Sequence, residues 1–121
     1  GLFHAGLDSA YSAAQTKVLH LPNENASGMV AHQVPGFDVI LAGHSHKPYP
    51  DKKITLAQTS HKPLLLNAGS WGKYLGVAEI IFRRNIKNGT IKILSKSAWL
   101  ESMRNVKAST AILELTKYYH N

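Results

Sequence analysis

The sequence predicts an α/β fold, and three observations support this prediction. The continuous apolar run Phe37–Ala42 is bracketed by glycines, which is typical of a strand buried on both faces. The Asn88-Gly89 step separates two further strand-like runs, which indicates a β-hairpin. Apolar residues also recur at helical spacing in two places. With 121 residues, of which 44% are hydrophobic, the chain fits one ordinary globular domain.

The predicted elements follow one another in a mixed order along the chain. Leu2-Phe3 is the apolar end of a strand that runs into a small, polar loop at residues 4–9. After an irregular stretch at 9–22, Asn23 is expected to cap a helix with an acidic residue in its first turn, which Pro35-Gly36 ends. Strands follow at 37–42, 63–67, 75–83 and 90–97, with a loop rich in lysine, proline and aspartate after the first of them. A short amphipathic helix is predicted from residue 109 or 110, with Ile112, Leu115, Tyr118 and Tyr119 at helical spacing.

Composition excludes several classes of protein. The chain has a formal net charge of +7, from 14 Lys+Arg against 7 Asp+Glu, which favours acidic partners such as phosphorylated small molecules, nucleic acid or anionic lipid. It has no cysteine, so a disulfide scaffold and a thiolate metal site are excluded, and a metal would need histidine, carboxylate or carbonyl ligands. No apolar run approaches the roughly 20 residues that a membrane-spanning helix requires.

The placement of the seven histidines is the main functional lead. His44 and His46 flank one serine directly after the buried strand, and Gly43 precedes them where a bulky side chain would obstruct a close approach. His4 holds an equivalent position after the first strand. If the two strands are neighbours in one sheet, three imidazoles converge at the edge where α/β sheets bind ligands, and they could hold one metal ion or two. The other histidines are interpreted as structural or surface residues: His20, His32, His61 and His120.

Several segments of the sequence resemble the motifs of a known family. The run 34–46, which ends in Gly43-His44-Ser45-His46, resembles the G-H-x-H block of calcineurin-like metallophosphoesterases, in the form found in the 5'-nucleotidase and 2',3'-cyclic-nucleotide 2'-phosphodiesterase family. Three other segments resemble the family's H-x-G, E-N-A and A-G-x-x-G-x-x-L-G motifs: His4-Ala5-Gly6, Glu24-Asn25-Ala26 and residues 66–77. The resemblance covers residues 1 to about 83 well and the remainder weakly. It implies part of a layered αββα sandwich, with a mixed sheet, a C-terminal β-hairpin and a terminal linker helix.

The resemblance also implies a metal centre. By it, His4 and His44 are ligands of one divalent metal ion and His46 is a ligand of a second, with Zn, Mn, Fe, Mg or Ca all open as the metal. Two such ions clamp a phosphate and lower the pKa of a bridging water. The family's D-x-H, G-D-x-x-D and G-N-H blocks, which supply the remaining ligands, have no match in this chain. No catalytic residue is therefore assigned, substrate-binding residues stay unknown, and the isolated chain is expected to be inactive or nearly so.

Domain organisation and partners follow from the same resemblance. Residues 1–97 are interpreted as the C-terminal half of a metallophosphoesterase domain, and residues 98–121 as a linker and helix that lead to an absent C-terminal substrate-binding domain. The intact parent would be a nucleotidase or cyclic-nucleotide phosphodiesterase. Its partners would be a nucleotide or other phosphate ester, the upstream half of the domain and the substrate-binding domain. Family members are commonly periplasmic, attached to the cell wall or secreted.

Two alternative functions stay open. One is a small basic module without catalysis that holds nucleic-acid phosphates. Its candidate cations are scattered and lack an interleaved aromatic stacking set: Lys47, Lys52, Lys53, Lys62, Arg83, Arg84 and Lys87. The other is a structural or regulatory remnant, against which the intact G-H-x-H motif argues.

Two further roles are predicted to be structural. The glycines of the segment 66–77 are expected to serve backbone turns, while Trp71 and Tyr74 pack into the core. Asp38 is expected to cap or orient the turn that enters the buried strand, and so to act mainly on stability.

Overall fold

The strands of the computed structural model form two three-stranded sheets, and the structure describes residues 1–7, 14, 16–20, 22–57 and 61–119. The first sheet is parallel, in the order β1-β2-β4, and consists of β1 (Leu2–Phe3), β2 (Val39–Ala42) and β4 (Leu64–Leu66). The second is antiparallel, in the order β3-β6-β5, and consists of β3 (Ile54–Ala57), β5 (Tyr74–Arg84) and β6 (Ile91–Ser102). Besides a helical stretch at residues 16–19, the described residues form the helices α1 (Ser27–Gln33) and α2 (Thr110–Thr116). The predicted α/β class is confirmed.

The register of the parallel sheet brings the ends of its strands to one level. Phe3 pairs with Ala42, and Leu41 pairs with Leu66, so the chain leaves all three strands at the same edge. The central strand β2 contains Ile40, which is fully buried, but Leu41 on its other face is 43% exposed, so the prediction of a strand buried on both faces is wrong for the described part of the chain. Helix α1 packs against β2. The loops that follow the three strands are therefore neighbours in space.

The predicted hairpin is confirmed and is longer than expected. Strands β5 and β6 pair antiparallel from Tyr74 with Ser102 to Arg84 with Ile91, with one irregularity between Ile81 and Phe82. Gly89 has a φ of +71°, which glycine adopts without strain. Strand β6 continues to Ser102 beyond its predicted end at residue 97, so the predicted division between residues 97 and 98 falls inside a strand. The division itself stays a prediction.

Strand β3 was missed in the sequence, where residues 47–62 were interpreted as a loop. Its four residues are too few for a clear alternating pattern, and its place in the sheet comes from pairing with β6, Ile54 opposite Ala98 and Ala57 opposite Ser95. A hydrogen bond between the hydroxyls of Thr55 and Ser97, 3.1 Å apart, adds a cross-strand contact. Pairing with a distant strand, rather than local sequence, therefore determines this element.

The start of α1 also differs from the prediction. The N-cap is Ala26, no acidic residue lies in the first turn, and Asn23 instead accepts a hydrogen bond from the backbone N–H of Asn25. The Ser27 N–H donates a hydrogen bond to the carbonyl of Gly6. This tertiary contact takes the place of the bond that a capping side chain commonly forms with a free N–H of the first helical turn. The helix ends at Gln33, before Pro35-Gly36, as predicted.

Two other predicted regions can be compared with the structure. Residues 16–19 are helical, which corrects the irregular interpretation of part of the stretch 9–22. The remainder of that stretch lies partly outside the described residues, as do residues 8 and 9 of the predicted loop and His120. Helix α2 is confirmed, although it ends before Tyr118 and its Ile112 and Leu115 are exposed. No helix among the described residues is long and apolar enough to cross a membrane.

A small apolar core joins the two sheets. Leu64 and Leu66 of β4 are buried against Ala98 of β6, and three partly buried residues pack around them: Val39, Leu56 and Leu100. Full burial of a side chain such as leucine contributes about 2 kcal/mol to stability. Many other large apolar side chains of the described residues are exposed, including those of Leu2 and Leu41 on the parallel sheet. The described part of the chain thus combines two three-stranded sheets with a small apolar core.

A buried lysine crosses the same interface. The Lys96 side chain is 5% exposed, and its ammonium donates to the Asp38 carboxylate and to the Lys62 carbonyl, each at 3.1 Å. The backbone carbonyl of Asp38 accepts a hydrogen bond from Leu64 N–H at 2.9 Å. The Asp38 side chain was expected to cap or orient the turn. Instead, it pairs with the buried Lys96 ammonium of the other sheet.

We expect the substitution Asp38→Ala to lower the free energy of unfolding by about 2 kcal/mol, because it leaves the buried Lys96 ammonium with one acceptor fewer. Urea unfolding of the two proteins measures this difference. The control is Glu114→Ala, which removes the exposed pair of Glu114 with Lys117 and should cost less than about 0.5 kcal/mol. Equal losses in the two variants would contradict the assignment.

Candidate metal-ligand site

The parallel register places His4 beside His44. The Gly43 N–H donates to the Phe3 carbonyl at 3.0 Å, so the pairing of β1 with β2 continues one residue past the end of both strands. The imidazole rings of His4 and His44 then meet edge to face, with centroids 5.3 Å apart and an angle of 64° between their planes. The expectation that the two strands are neighbours, and that their histidines converge, is confirmed for this pair.

The backbone of the Gly43–His46 loop is strained. His44 has a φ of +63° and His46 a φ of +56°, in the left-handed region that few residues other than glycine adopt. The Ser45 N–H donates to the Gly43 carbonyl at 2.7 Å, which closes a three-residue turn centred on His44. Each such conformation costs on the order of 1–3 kcal/mol and persists only where the surroundings enforce it. Strain of this kind is typical of functional sites.

A carboxylate contacts the histidine pair. The Nε2 atom of His44 lies 3.2 Å from a carboxylate oxygen of Glu24, and both side chains are partly exposed to solvent. A carboxylate only accepts hydrogen bonds, so this contact places the proton of His44 on Nε2. In the neutral ring the lone pair is then on Nδ1. Orientation of a metal-binding histidine by a carboxylate is a common arrangement in metalloproteins.

The loop after β1 is locked to the segment that carries Glu24. Gly6 N–H donates to the Glu24 carbonyl at 3.2 Å, and the Ser27 hydroxyl donates to the Ala5 carbonyl at 2.8 Å. A Cβ atom at Gly6 would collide with the Asn25 side chain and would lie 2.7 Å from the Cβ of Ser45. Glycine is therefore required here by close packing, since three segments meet at this residue.

Asn67 joins the loop after β4 to the histidine loop. Its side chain is buried, and its amide nitrogen donates to the Gly43 carbonyl at 3.2 Å and to the Ser45 hydroxyl at 3.3 Å. Its amide oxygen accepts from the Gly69 N–H at 2.9 Å. Its backbone forms a two-way bridge with Tyr49. This one side chain therefore contacts the loops that follow β2 and β4.

The three histidines predicted as ligands are not all brought together. His44 lies close to His4 and to Glu24, but within the described part of the chain no group of three or more histidine, cysteine, aspartate or glutamate side chains is arranged to hold a metal ion. The ligand assignments of His4, His44 and His46 stay predictions. Of the histidines interpreted as structural, His32 lies in the last turn of α1 and His61 is exposed.

The donor groups present match part of a metal site. Imidazole nitrogen is a donor that zinc and iron accept, and a carboxylate that hydrogen-bonds the imidazole, as Glu24 does with His44, is a common outer partner of such a ligand. The His4 and His44 rings lie at the carboxyl edge of a parallel sheet, where α/β proteins bind ligands. The residues present thus fit one side of a metal centre, and other ligands would be needed to complete it.

Sequence reasoning missed two residues of the site. Glu24 was interpreted only as part of a helix start, and Asn67 only as the last residue of the strand predicted at 63–67. The sequence did carry a signal for Asn67, because it is a polar residue that follows directly on the apolar run Leu64–Leu66. A buried polar side chain requires partners, and at a strand end these are commonly loop backbone groups.

The segment after Asn67 contains several residues with positive φ. Gly69, Trp71 and Gly72 all have positive φ, which confirms backbone turns as the role of the two glycines, whereas Gly76 lies inside β5, so the prediction is wrong for that glycine. The Trp71 side chain is 87% exposed, and its place at the tip of the turn, beyond the end of β4, explains this exposure. Tyr74, at the start of β5, is 37% exposed, so the expectation that these two side chains pack into the core is wrong for the described part of the chain.

Comparison with known proteins identifies the fold. No family model matches the sequence, and a search of curated proteins finds no match. Among solved structures, the crystal structure of the calcineurin-like phosphoesterase YfkN from Bacillus subtilis is similar, with a TM-score of 0.67 and 22% sequence identity. The match covers 97% of this chain and 35% of that one, so the chain spans about a third of its length. The chain therefore has the fold of part of a calcineurin-like phosphoesterase.

We expect Gly6→Ala to destabilise the protein by about 1–3 kcal/mol, since the added methyl group forces the Asn25 and Ser45 segments apart. Gly43→Ala is the matched control, because a Cβ there would lie 3.8 Å from the His4 Nδ1 atom, at ordinary contact distance. Thermal unfolding compares the two. A Gly43→Ala variant that loses as much stability as Gly6→Ala would contradict the packing argument.

We expect Glu24→Ala to change the populations of the two neutral tautomers of His44. In the wild-type protein the carboxylate holds the proton on Nε2, and without it both neutral tautomers become populated. Long-range ¹H–¹⁵N spectra of the imidazole rings distinguish the two forms. The His32 ring, which lies in α1, provides an internal reference in the same spectra. An unchanged His44 signal would show that the contact does not determine the tautomer.

Proposed function

We propose that this chain is part of a dinuclear-metal phosphohydrolase that acts on nucleotides, of the 5'-nucleotidase or 2',3'-cyclic-nucleotide phosphodiesterase type. The observation that carries the proposal is the contact between the His4 and His44 rings at the carboxyl edge of the parallel sheet. The fold shared with a calcineurin-like phosphoesterase supports it. The net charge of +7 is consistent with an anionic substrate.

In this proposal His4 and His44 bind one divalent ion and His46 binds the other. When bound, such ions polarise a phosphate and lower the pKa of a coordinated water. The residues of this chain hold and orient the ions: imidazoles donate lone pairs, and Glu24 fixes the ring of His44 through Nε2. The positive φ values of His44 and His46 set the backbone from which both side chains leave the same short loop.

The proposal requires ligands from outside this chain. Three neutral imidazoles do not balance the charge of two divalent cations, so a bridging carboxylate is needed. We assign this carboxylate to an upstream half of the same domain. We further propose that residues 98–121 lead to a nucleotide-binding domain. Two observations support these partners. The match covers 35% of the similar phosphoesterase chain, and Leu2 and Leu41 of the parallel sheet are exposed. An apolar surface of this kind suits a covering segment.

Native mass spectrometry of the chain with added Zn²⁺ or Mn²⁺ tests the proposal, since it measures metal stoichiometry and oligomeric state together. Because the site is incomplete in this chain, we expect metal bound weakly at one site or only in an assembly of the wild-type protein. Most of this metal should be lost in His44→Ala and retained in the control His32→Ala, whose histidine is exposed in α1. The His44 side chain lies in a loop, so the variant should still fold.

Equal metal content in His44→Ala and wild type would contradict the ligand assignment. A longer protein that contains this chain should also hydrolyse a nucleotide phosphate ester only with added metal, and His44→Ala should lower its kcat/KM by at least tenfold. Full hydrolysis by that variant would contradict the proposed function.

A further inference from the structure

We propose that Asn67 is a positioning residue that holds His44 in its left-handed backbone conformation, and so determines the metal affinity of the site. The part of this inference that concerns metal rests on the proposed function. The part that concerns the backbone rests on the geometry of the described residues alone.

The hydrogen bonds of Asn67 define its orientation without ambiguity. The Gly43 carbonyl only accepts hydrogen bonds, so the amide nitrogen must face it, at 3.2 Å. The Gly69 N–H only donates, so the amide oxygen must face that group, at 2.9 Å. The amide nitrogen also lies 3.3 Å from the Ser45 hydroxyl. The side chain thus uses both ends of its amide, as a buried polar group must.

Two of these bonds bracket His44. The Asn67 amide contacts the residue before it, Gly43, and the residue after it, Ser45. His44 itself has a φ of +63°, in a turn closed by the Ser45 N–H and the Gly43 carbonyl. A strained turn of this kind persists only where neighbouring groups enforce it. Asn67 supplies an anchor on each side of the strained residue.

The anchor is itself fixed in place. The backbone of Asn67 exchanges two hydrogen bonds with Tyr49, at 2.8 and 2.9 Å, and the residue is 1% exposed. Its third side-chain partner, Gly69, lies close to the backbone of the second histidine, since a Cβ at Gly69 would be 3.5 Å from the His46 carbonyl oxygen. One buried amide therefore links the end of β4 to the loop that carries both His44 and His46.

The test compares Asn67→Ala with Asn85→Ala. Asn85 is a matched control because its side chain also accepts a hydrogen bond from a backbone N–H two residues on, but in the exposed hairpin turn. Backbone couplings and ¹³C shifts measured by NMR give the φ of His44, and calorimetric titration with Zn²⁺, well below each melting temperature, gives the metal affinity. We expect Asn67→Ala to lose the positive φ of His44 and to bind Zn²⁺ at least tenfold more weakly, as loss of an outer partner of a ligand does. Asn85→Ala should match the wild type in both.

Each other outcome is decisive. An unchanged φ at His44 in Asn67→Ala overturns the proposal, whatever the metal affinity. A changed φ with unchanged Zn²⁺ affinity overturns the role in metal binding. If the wild-type chain binds no Zn²⁺, the metal affinities are compared in a longer protein that contains this chain, while the φ measurement still decides the positioning role.

If Asn67→Ala does not fold, Ser45→Ala takes its place, because that variant removes one of the two anchors and keeps the other. We expect it to weaken Zn²⁺ binding by about threefold, a smaller effect than the loss of the whole amide. An unchanged φ and affinity in Ser45→Ala would then overturn the proposal.

Discussion

The parallel register of β1, β2 and β4 is the constraint on which the site depends. Phe3 lies opposite Ala42, and Leu41 lies opposite Leu66, so the residues that follow the three strands leave the sheet at one level. His4, Gly43 and Asn67 follow these strand ends. A slip of one residue in β1 would turn its side chains to the other face and separate His4 from His44. The contact between the two imidazole rings is thus a consequence of backbone pairing rather than of local sequence.

The edge is organised by polar contacts, while the apolar core lies elsewhere. Leu64, Leu66 and Ala98 hold the two sheets together on one side of β4. At the end of the same strand, Asn67 carries the connection to the histidine loop through hydrogen bonds. Buried hydrogen bonds have directional requirements that apolar contacts lack, so they suit a loop whose backbone must be held in one conformation. The apolar core contributes stability, whereas the Asn67 amide hydrogen-bonds the backbone and the serine of the histidine loop.

Specific residues show which parts of the fold could be predicted. Strand β2 was evident because an apolar run between glycines is a local pattern, and the hairpin was evident because Asn88-Gly89 favours one turn type. Strand β3 and the start of α1 were not, since the first depends on β6 and the second on Gly6. Trp71 was expected in the core, yet it lies exposed at a turn. For β3 and the start of α1 a partner distant in sequence determined the outcome, whereas for Trp71 it was the position at a turn.

The sequence alone determined the α/β class, the hairpin and the two histidine positions at strand ends, because these depend on short-range patterns of apolar, glycine and polar residues. The tertiary structure decided that β1 lies beside β2, that Glu24 contacts His44, and that Asp38 pairs with Lys96 instead of capping a turn. It also revealed the hydrogen bonds of Asn67 to Gly43 and Ser45. These contacts join residues about 20 to 60 positions apart, and strand register and burial, which no local pattern specifies, bring them together.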